Sequence, residues 1–350
     1  MGKPYNAEME VINGTYNWAL SAPIEFLQEW IASAVNNPLI SVGSGGSHTA
    51  ALFSALLHQH AGRLAISSTP LEIISKDFAL EKTAVLFVTA GGRNQDLLRS
   101  FSVIVREEPA QLLVLCGTKN SPMKKLAEGY GYVCMEEVVF PWGKDGFLAT
   151  NSLLGFMVLL ARAYEHSALA SFCFPNTLEA LVYQESSKTQ FVERLTESLS
   201  RITDKDTIIV LHGKWGKPVA FDLESKFVEA ALGNLQIADY RNFAHGRHNW
   251  LNRKLKSTGV IALITPDDKE IANKTLHLLP EDVPVVRIES NNSGPISTIE
   301  LLVKAFFIVK IFGQKLGIDP GAPHIPQFGR RLYSLIPPIP SEKTATAFSA

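Results

Sequence analysis

Short apolar runs alternate with longer amphipathic stretches along most of the chain. The runs are rich in β-branched side chains, and many end in Gly, Ser or Thr, which is typical of strands buried in a parallel sheet. We predict ten strands from them, at PLISVGSG, RLAISS, AVLFVTAG, QLLVLCGT, GYVCME, TIIVLHG, LQIADY, GVIALIT, TLHLLP and VPVVRIE. Stretches such as TAALFSALLHQHAG and PVAFDLESKFVEAAL predict the helices between them. The alternation therefore predicts an α/β fold built from βαβ units.

The pattern occurs twice, at residues 36–165 and 191–315. We therefore expect two tandem domains, each with a five-stranded parallel sheet flanked by helices. Residues 1–35 predict an N-terminal helical segment, and residues 166–190 a connecting helix or linker. Residues 316–350 are rich in Pro and Gly, which predicts an irregular tail on the surface.

Composition indicates a well-packed protein without an excess of positive charge. The chain has 350 residues, of which 46% are hydrophobic and 19% charged, and its net charge is −1. No nucleic-acid partner is expected on this ground. Three cysteines without CxxC spacing are typical of a reduced, cytoplasmic protein.

Two long hydrophobic stretches are interpreted as buried helices of a soluble core, so no membrane partner is expected. LLGFMVLLARAY is too short to span a bilayer, and IELLVKAFFIVKIFG contains Lys304 and Lys310. The N-terminus lacks an apolar stretch typical of a signal peptide.

Two glycine-containing loops follow predicted strands of the first copy. GSGGSHTAA spans residues 43–51 and adds the hydroxyls of Ser44 and Ser47, while TAGGRNQDLL spans residues 89–98. Such loops bring backbone N–H groups and a helix N-terminus close to an anion. The alternative is an ordinary tight turn between strand and helix.

Arg93 would lie near the start of the helix after the second loop. A cation there is unfavourable to the helix dipole, so we expect it to have an anionic partner. That partner could be a glutamate of the protein, or a phosphate or carboxylate of a ligand.

The stretch DYRNFAHGRHNWL follows a helix-like segment that contains Glu229. A partly desolvated carboxylate can remove a proton next to a carbonyl, and a histidine can exchange a second proton near neutral pH. We therefore interpret Glu229 and His245 as catalytic, with Arg241 or Arg247 near an anionic substrate group. The alternatives are a surface carboxylate, a loop histidine and interface salt bridges. His245 and His248 lack an evident third ligand, so no metal site is predicted.

These loops and this spacing resemble the SIS (sugar isomerase) family over most of residues 36–335. More closely, the chain resembles the isomerase domain of glucosamine-6-phosphate synthase and the related fructosamine-6-phosphate deglycases. In that group a helix-ending Glu is followed sixteen residues later by a His-Gly pair, which Glu229 and His245–Gly246 match. The resemblance implies two tandem SIS-type domains and no cofactor.

The chain departs from the family pattern at three charged positions. Arg93 and Lys144 stand where the family has glutamates, and Arg330 aligns roughly with the lysine that forms a Schiff base in the synthase. Arginine does not deprotonate at accessible pH, so amination chemistry is not expected. KDGFLATNSLLGF, which contains Thr150, resembles the family segment ending in Ala-Ser-Thr-Lys. The predicted substrate-binding residues are Ser44, Gly45, Ser47, Thr89, Gly91, Arg93, Asn94, Lys144, Thr150 and Arg330.

The resemblance implies a sugar (phospho)isomerase or an Amadori-type deglycase that acts on an anionic sugar through an enediol or enaminol. The alternative is a sensor module that binds a phosphosugar without turnover. The family builds its sites at a dimer interface, so we expect a homodimer with composite sites. We also expect the segment IELLVKAFFIVKIFG to be covered partly by a second subunit.

Overall fold

The computed structural model describes residues 3–75, 80–166, 172–184 and 186–336. Nine of the ten predicted strands form. They are β1 (Leu39–Val42), β2 (Ala65–Ser68), β3 (Ala84–Thr89), β4 (Gln111–Cys116), β5 (Val133–Glu137), β6 (Thr207–His212), β7 (Asn234–Asp239), β8 (Thr258–Ile264) and β9 (Val285–Glu289). All of them pair in parallel, which confirms the predicted α/β class.

Helices separate most of these strands. The first seven described helices are α1 (Tyr5–Ser21), α2 (Glu25–Ala34), α3 (Gly46–His60), α4 (Pro70–Ile74), α5 (Gln95–Ile104), α6 (Pro122–Ala127) and α7 (Asn151–His166). Those that follow are α8 (Leu178–Val182), α9 (Lys188–Leu199), α10 (Lys217–Glu229), α11 (Tyr240–Asn242), α12 (His248–Arg253), α13 (Lys269–His277), α14 (Gly294–Leu316) and α15 (Gln327–Tyr333).

The first sheet has five strands in the order β2-β1-β3-β4-β5. Its core contains Val42, Phe87 and Val114 from the strands, and Phe101 of α5 and Met123 of α6 pack against them. The chain leaves β1 toward β2 and later crosses to β3 on the other side. The sheet therefore has a topological switch point between β1 and β3.

The second sheet has four described strands in the order β7-β6-β8-β9, so the prediction of five is wrong. The stretch TLHLLP does not form a strand, because its first residues close α13. Short apolar runs are ambiguous between strand and helix. In α13 the buried Ala272 and the ion pair of Glu270 with Lys274, one turn apart, favour the helix.

The contacts divide the chain into two compact units. The unit that we call the first-sheet unit holds the described residues of 29–139 and 324–336. The second-sheet unit holds the described residues of 3–28 and 140–323. Helix α7 therefore belongs with the second sheet, and the limits 36–165 and 191–315 stay predictions. Of the connecting segment 166–190, residues 167–171 and 185 lie outside the described residues.

The tail after Leu316 is not entirely irregular. Residues Gln327–Tyr333 form α15, which corrects the prediction for this part of the tail. The large apolar side chains of α15 and the two residues after Ser334 are exposed, namely Phe328, Leu332, Tyr333, Leu335 and Ile336. Residues 337–350 lie outside the described residues.

The two long hydrophobic stretches form α7 and α14, and both helices are largely buried, as predicted. Helix α14 is covered within a single chain, so its hydrophobicity gives no argument for a second subunit. Its interior charge is compensated, because Lys304 Nζ lies 2.6 Å from Glu300 Oε1 and donates to the Glu289 carbonyl at 2.7 Å. Among the described helices, none is both long and apolar enough to cross a bilayer.

Candidate functional site

The loop after β1 brings glycine and serine to the start of α3. A Cβ at Gly43 would lie 2.3 Å from the Ser47 carbonyl oxygen, so only glycine fits there. Gly45 is exposed, has a φ of 56° and precedes α3 without a side-chain cap. Ser44 and Ser47 are half-buried. The Ser47 and His48 N–H groups of this first turn donate to the Ser44 and Gly45 carbonyl oxygens at 3.2 and 2.9 Å, so the hydroxyls of Ser44 and Ser47 are the groups here that suit an anion.

The loop after β3 is braced by its own side chains. The Thr89 hydroxyl accepts from the Gly92 N–H at 3.0 Å, and Asn94 Oδ1 accepts from the Leu97 N–H at 3.1 Å as the cap of α5. Both predicted ligand contacts therefore also have a structural partner. The sequence reasoning missed Gly92, whose φ is 58° and whose Cβ would lie 2.6 Å from Ser121 Oγ.

Arg93 is exposed, and its side chain lies over Gly91, with Nε 3.4 Å from where a Gly91 Cβ would be. In the part of the chain that the structure describes, no carboxylate lies within ion-pair distance of Arg93. Of the two partners considered from the sequence, a glutamate of the protein is not found among these residues. The guanidinium is therefore available to an anion from outside.

These two loops lie side by side. Val42 and Phe87 are register partners in β1 and β3, so both strands end at the same edge of the first sheet. In open parallel sheets ligands bind in the crevice at such a switch point. Ser44, Gly45, Ser47, Thr89, Gly91, Arg93 and Asn94 therefore share one edge of one sheet.

At the corresponding edge of the second sheet, a carboxylate lies close to the backbone. Between the ends of β6 and β8, Asp268 accepts hydrogen bonds from the Thr265 N–H at 2.9 Å and from its hydroxyl at 3.0 Å. A Cβ at Gly213 would lie 1.8 Å from Asp268 Oδ2. The Asp268 carboxylate thus lies against the turn that follows β6.

Glu229 is the last residue of α10, as the sequence suggested, but it is exposed. The expectation of a partly desolvated carboxylate is therefore not met in a single chain. The Ser225 hydroxyl, one turn earlier, donates a hydrogen bond to Glu229 Oε1. This contact fixes the direction of one carboxylate oxygen.

Helix α10 also contains a buried ion pair that the sequence reasoning missed. Asp222 and Lys226 are 1% and 3% exposed at their side chains and contact each other one turn apart. The Lys226 ammonium lies 5.1 Å from the centre of the Phe306 ring. Opposite charges at i and i+4 on the apolar face of a helix were the available indication. The pair ties the helix that ends in Glu229 to α14.

His245 is displayed on an anchored turn. The Tyr240 hydroxyl donates to the Leu263 carbonyl at 2.9 Å, and Phe243 is buried in the core cluster of the second sheet. The chain then leaves helical geometry, with His245 at φ −85°, ψ 49° and Gly246 at φ 96°. His245 itself is exposed. Buried anchors before the turn and a glycine after it thus present the imidazole to solvent.

Asp239 caps the beginning of this turn. Its Oδ1 accepts from the N–H groups of Arg241 at 2.9 Å and Asn242 at 2.8 Å. Burial alone would raise the pKa of Asp239, but the hydrogen bonds from Asn242 and Arg241 and the nearby His212 hold it below its usual value. The ionised form is the better acceptor and is the one favoured here.

His212 is the register partner of Asp239 and was missed by the sequence reasoning. It is the last residue of β6, and its Nδ1 lies 2.9 Å from the Gly213 carbonyl oxygen. Burial lowers the pKa of His212, although the Gly213 carbonyl and Asp239 oppose this. Its position at the end of a strand was the available indication.

The other predicted site residues lie in different surroundings. Thr150 is fully buried, and its hydroxyl donates to the Leu148 carbonyl at 3.2 Å, so a ligand contact would require this side chain to become exposed. Lys144 is exposed in the second-sheet unit, which also holds Glu229 and His245. Arg330 is exposed on α15 in the first-sheet unit. The described residues contain no cluster of three His, Cys, Asp or Glu side chains able to hold a metal ion.

Neither protein-family models nor curated proteins match this sequence. Solved structures do match its fold. The C-terminal domain of glucosamine-fructose-6-phosphate aminotransferase from Francisella tularensis has a TM-score of 0.67 at 14% identity, over 88% of this chain and 96% of its own. Tagatose-6-phosphate ketose/aldose isomerase from Escherichia coli has a TM-score of 0.66 at 12% identity, over 93% and 98%.

A third similar structure is glucosamine-6-phosphate deaminase from Thermotoga maritima. Its TM-score is 0.66 at 14% identity, over 91% of this chain and 97% of its own. The resemblance expected from the sequence is therefore confirmed at the level of the fold.

Proposed function

We propose that this protein is a sugar (phospho)isomerase or an Amadori-type deglycase that acts on a phosphorylated or otherwise anionic sugar. The observation that carries the proposal is the pair of exposed groups on either side of β7. Glu229 ends the helix before this strand, and His245 lies in the anchored turn after it. A carboxylate and an imidazole are the groups that proton transfer next to a carbonyl requires.

In an isomerase, the Glu229 carboxylate would take the proton from the carbon beside the carbonyl while His245 gives a proton to the carbonyl oxygen. The product is a neutral enediol. Glu229 then gives its proton to the former carbonyl carbon, and the hydroxyl on the neighbouring carbon gives its proton to His245 as the new carbonyl forms. The carbonyl has then moved by one carbon, and both residues regain their starting states.

In a deglycase, Glu229 would take a proton from the carbon that bears the amine, which gives an enaminol. It would then deliver this proton to the former carbonyl carbon. This gives an imine. Water then adds to the imine carbon, and His245 protonates the departing nitrogen. The products are an aldose and a free amine, so the step consumes one water molecule.

We propose the first-sheet loops as the binding place of the anionic group. Ser44 and Ser47, on either side of Gly45 at the start of α3, provide hydroxyl donors, and Thr89, Gly91, Arg93 and Asn94 line the adjacent loop. Lys144 and Arg330 are proposed as further cationic contacts. Thr150 is kept as a proposed contact only on the condition that its side chain becomes exposed. The unpaired Arg93 supports an anionic ligand.

We propose further that the protein is a homodimer with composite sites. The support comes from the exposure of Glu229 and His245, since a second subunit over them would exclude water from both. Desolvation of this kind strengthens a carboxylate as a base.

The alternative is a sensor that binds a phosphosugar without turnover. A sensor needs only the anion-binding loops, whereas this chain has changed those loops relative to the resembling family and kept the Glu and His spacing. This favours the enzyme.

A substrate panel tests the proposed function. The purified protein is incubated with fructose 6-phosphate, tagatose 6-phosphate and 6-phosphorylated fructosamine conjugates of amino acids, and products are separated by chromatography. We expect turnover of at least one compound. Saturable binding across the panel without any product would favour the sensor and contradict the enzyme.

A further inference from the structure

The stretch between Asp239 and Asp267 carries positive charge and no negative charge. It contains five cationic residues, which we call the basic strip: Arg241, Arg247, Arg253, Lys254 and Lys256. Because the whole chain has a formal charge of −1 and the strip contributes five positive charges, all other residues together carry −6. The strip is therefore opposite in sign to the rest of the protein.

All five side chains of the basic strip are exposed. Counting only described residues, none of them makes a hydrogen bond or an ion pair through its side chain. Exposed lysines and arginines are often simply hydrated. Exposure of charge alone therefore does not define a site.

An exposed tryptophan at the centre of the strip distinguishes it from an ordinary hydrated face. Leu251 holds α12 on the core, while Trp250 beside it is 38% exposed. Arg247 precedes Trp250 by three residues, and Arg253 and Lys254 follow it by three and four. Residues at these spacings are neighbours on a helix surface. Three cations without an ion-pair partner among the described residues therefore lie at neighbouring positions to one exposed indole.

This arrangement matches the chemistry of one class of ligand. A planar base stacks on an aromatic side chain whatever its sequence, and guanidinium groups bind phosphate oxygens in a bidentate manner. No other described ring stacks on Trp250, and no described cation lies over it, so its face is open.

We propose that Trp250, Arg247, Arg253 and Lys254 form a nucleotide-binding site, in which the base stacks on the indole and the phosphates contact the three cations. One indole and three cations suit a single nucleotide better than a long polymer. The negative charge on the rest of the chain would also repel an extended polyanion. The site does not use turnover by Glu229 and His245, so it stands or falls separately from the proposed function.

Calorimetric titration with four probes tests the site: ADP, adenosine, inorganic tripolyphosphate and a single-stranded 12-mer of thymidylate. We expect saturable binding of ADP, with adenosine and tripolyphosphate each weaker because each lacks one half of the recognition. Trp250→Ala should weaken ADP binding by about fivefold or more, as expected for loss of base stacking, and leave tripolyphosphate unchanged. Arg247→Ala with Arg253→Ala should weaken both.

Matched variants control for general effects of the substitutions. Trp142→Ala removes a tryptophan of similar exposure, 37%, outside the strip, and Arg194→Ala with Arg201→Ala removes two exposed arginines elsewhere in the same unit. Both should bind ADP like the original protein. Binding of the 12-mer that depends on Trp250 and exceeds that of ADP would contradict a site for a single nucleotide.

The proposal is also overturned if ADP does not bind, or if it binds equally well to Trp250→Ala. When ADP does not bind, light scattering identifies the other role of the strip. A lower oligomeric mass in Trp250→Ala would make the strip a contact between subunits rather than a ligand site.

Discussion

The carboxylate of Asp239 holds Asn242 from two sides, accepting hydrogen bonds from its backbone N–H at 2.8 Å and from its side-chain amide. Asn242 immediately precedes the turn that displays His245. The direction of the proposed acid–base histidine therefore depends on a capping residue at the end of β7.

Asp239→Ala should lower both stability and turnover. Loss of the cap costs about 0.5–2 kcal/mol in unfolding free energy, and the His245 turn loses its fixed start. Asp239→Asn keeps an acceptor oxygen and should retain most of both. Urea unfolding and steady-state kinetics measure the two effects, with Asp204→Ala, an exposed aspartate, as control. Unchanged turnover in Asp239→Ala would show that this cap does not position His245.

Arg93→Glu should discriminate between anionic and neutral ligands. If Arg93 contacts the anionic group, the substitution weakens a phosphorylated or acidic sugar conjugate by more than a neutral analogue. Competition binding with both ligands measures the difference. Arg99→Glu on the same helix, α5, is the matched control. Equal weakening of both ligands would mean that Arg93 only supports the fold.

Acidification should destabilise the protein through two buried histidines. Burial lowers the pKa of His58, whose Nε2 lies 2.8 Å from the Asn37 carbonyl oxygen, and burial likewise lowers that of His212. The unfolded chain, with histidine pKa values of about 6.5, then takes up protons before the folded chain. Stability present above this pH is therefore lost as the pH falls below it.

The pH effect can be assigned with one substitution. His58→Gln should reduce the loss of unfolding free energy between pH 7.5 and pH 5.5, as measured by urea denaturation. His60→Gln, which changes an exposed histidine on the same helix, should leave this loss unchanged. An identical pH dependence in His58→Gln and the original protein would contradict the assignment.

Much of the fold followed from hydrophobic pattern, because buried parallel strands are short, apolar and β-branched. The exception, TLHLLP, shows the limit of that pattern. The five residues before its proline fit a strand or a helix. The preceding residues favour the helix, through the ion pair of Glu270 with Lys274 and the burial of Ala272.

The candidate site was less accessible from sequence. Glycines after strands indicated the two first-sheet loops, since close approaches such as that of Gly43 to Ser47 require them. Burial of Thr150 and exposure of Glu229 depend on which elements pack over them, which no local pattern reports. The close approach of Asp268 to Gly213 is likewise a tertiary contact.

Mixing two inactive variants tests the composite dimer. Glu229→Gln and His245→Asn chains, refolded together, should regain activity, because about half the dimers are heterodimers and each of these has one intact site. Each variant refolded alone is the control. If heterodimers are shown to form and the mixture stays inactive, Glu229 and His245 act from the same chain.

The central claim is that Glu229 moves a carbon-bound proton of a sugar. The most direct measurement uses the panel compound that turns over and follows, by NMR in deuterium oxide, exchange at the carbon beside its carbonyl. Glu229→Gln should slow exchange and turnover by about 10²–10⁴-fold while ligand affinity and folding are retained. Glu224→Gln, on the same helix, should behave like the original protein. A Glu229→Gln variant that keeps more than about a tenth of the original exchange rate would contradict the claim.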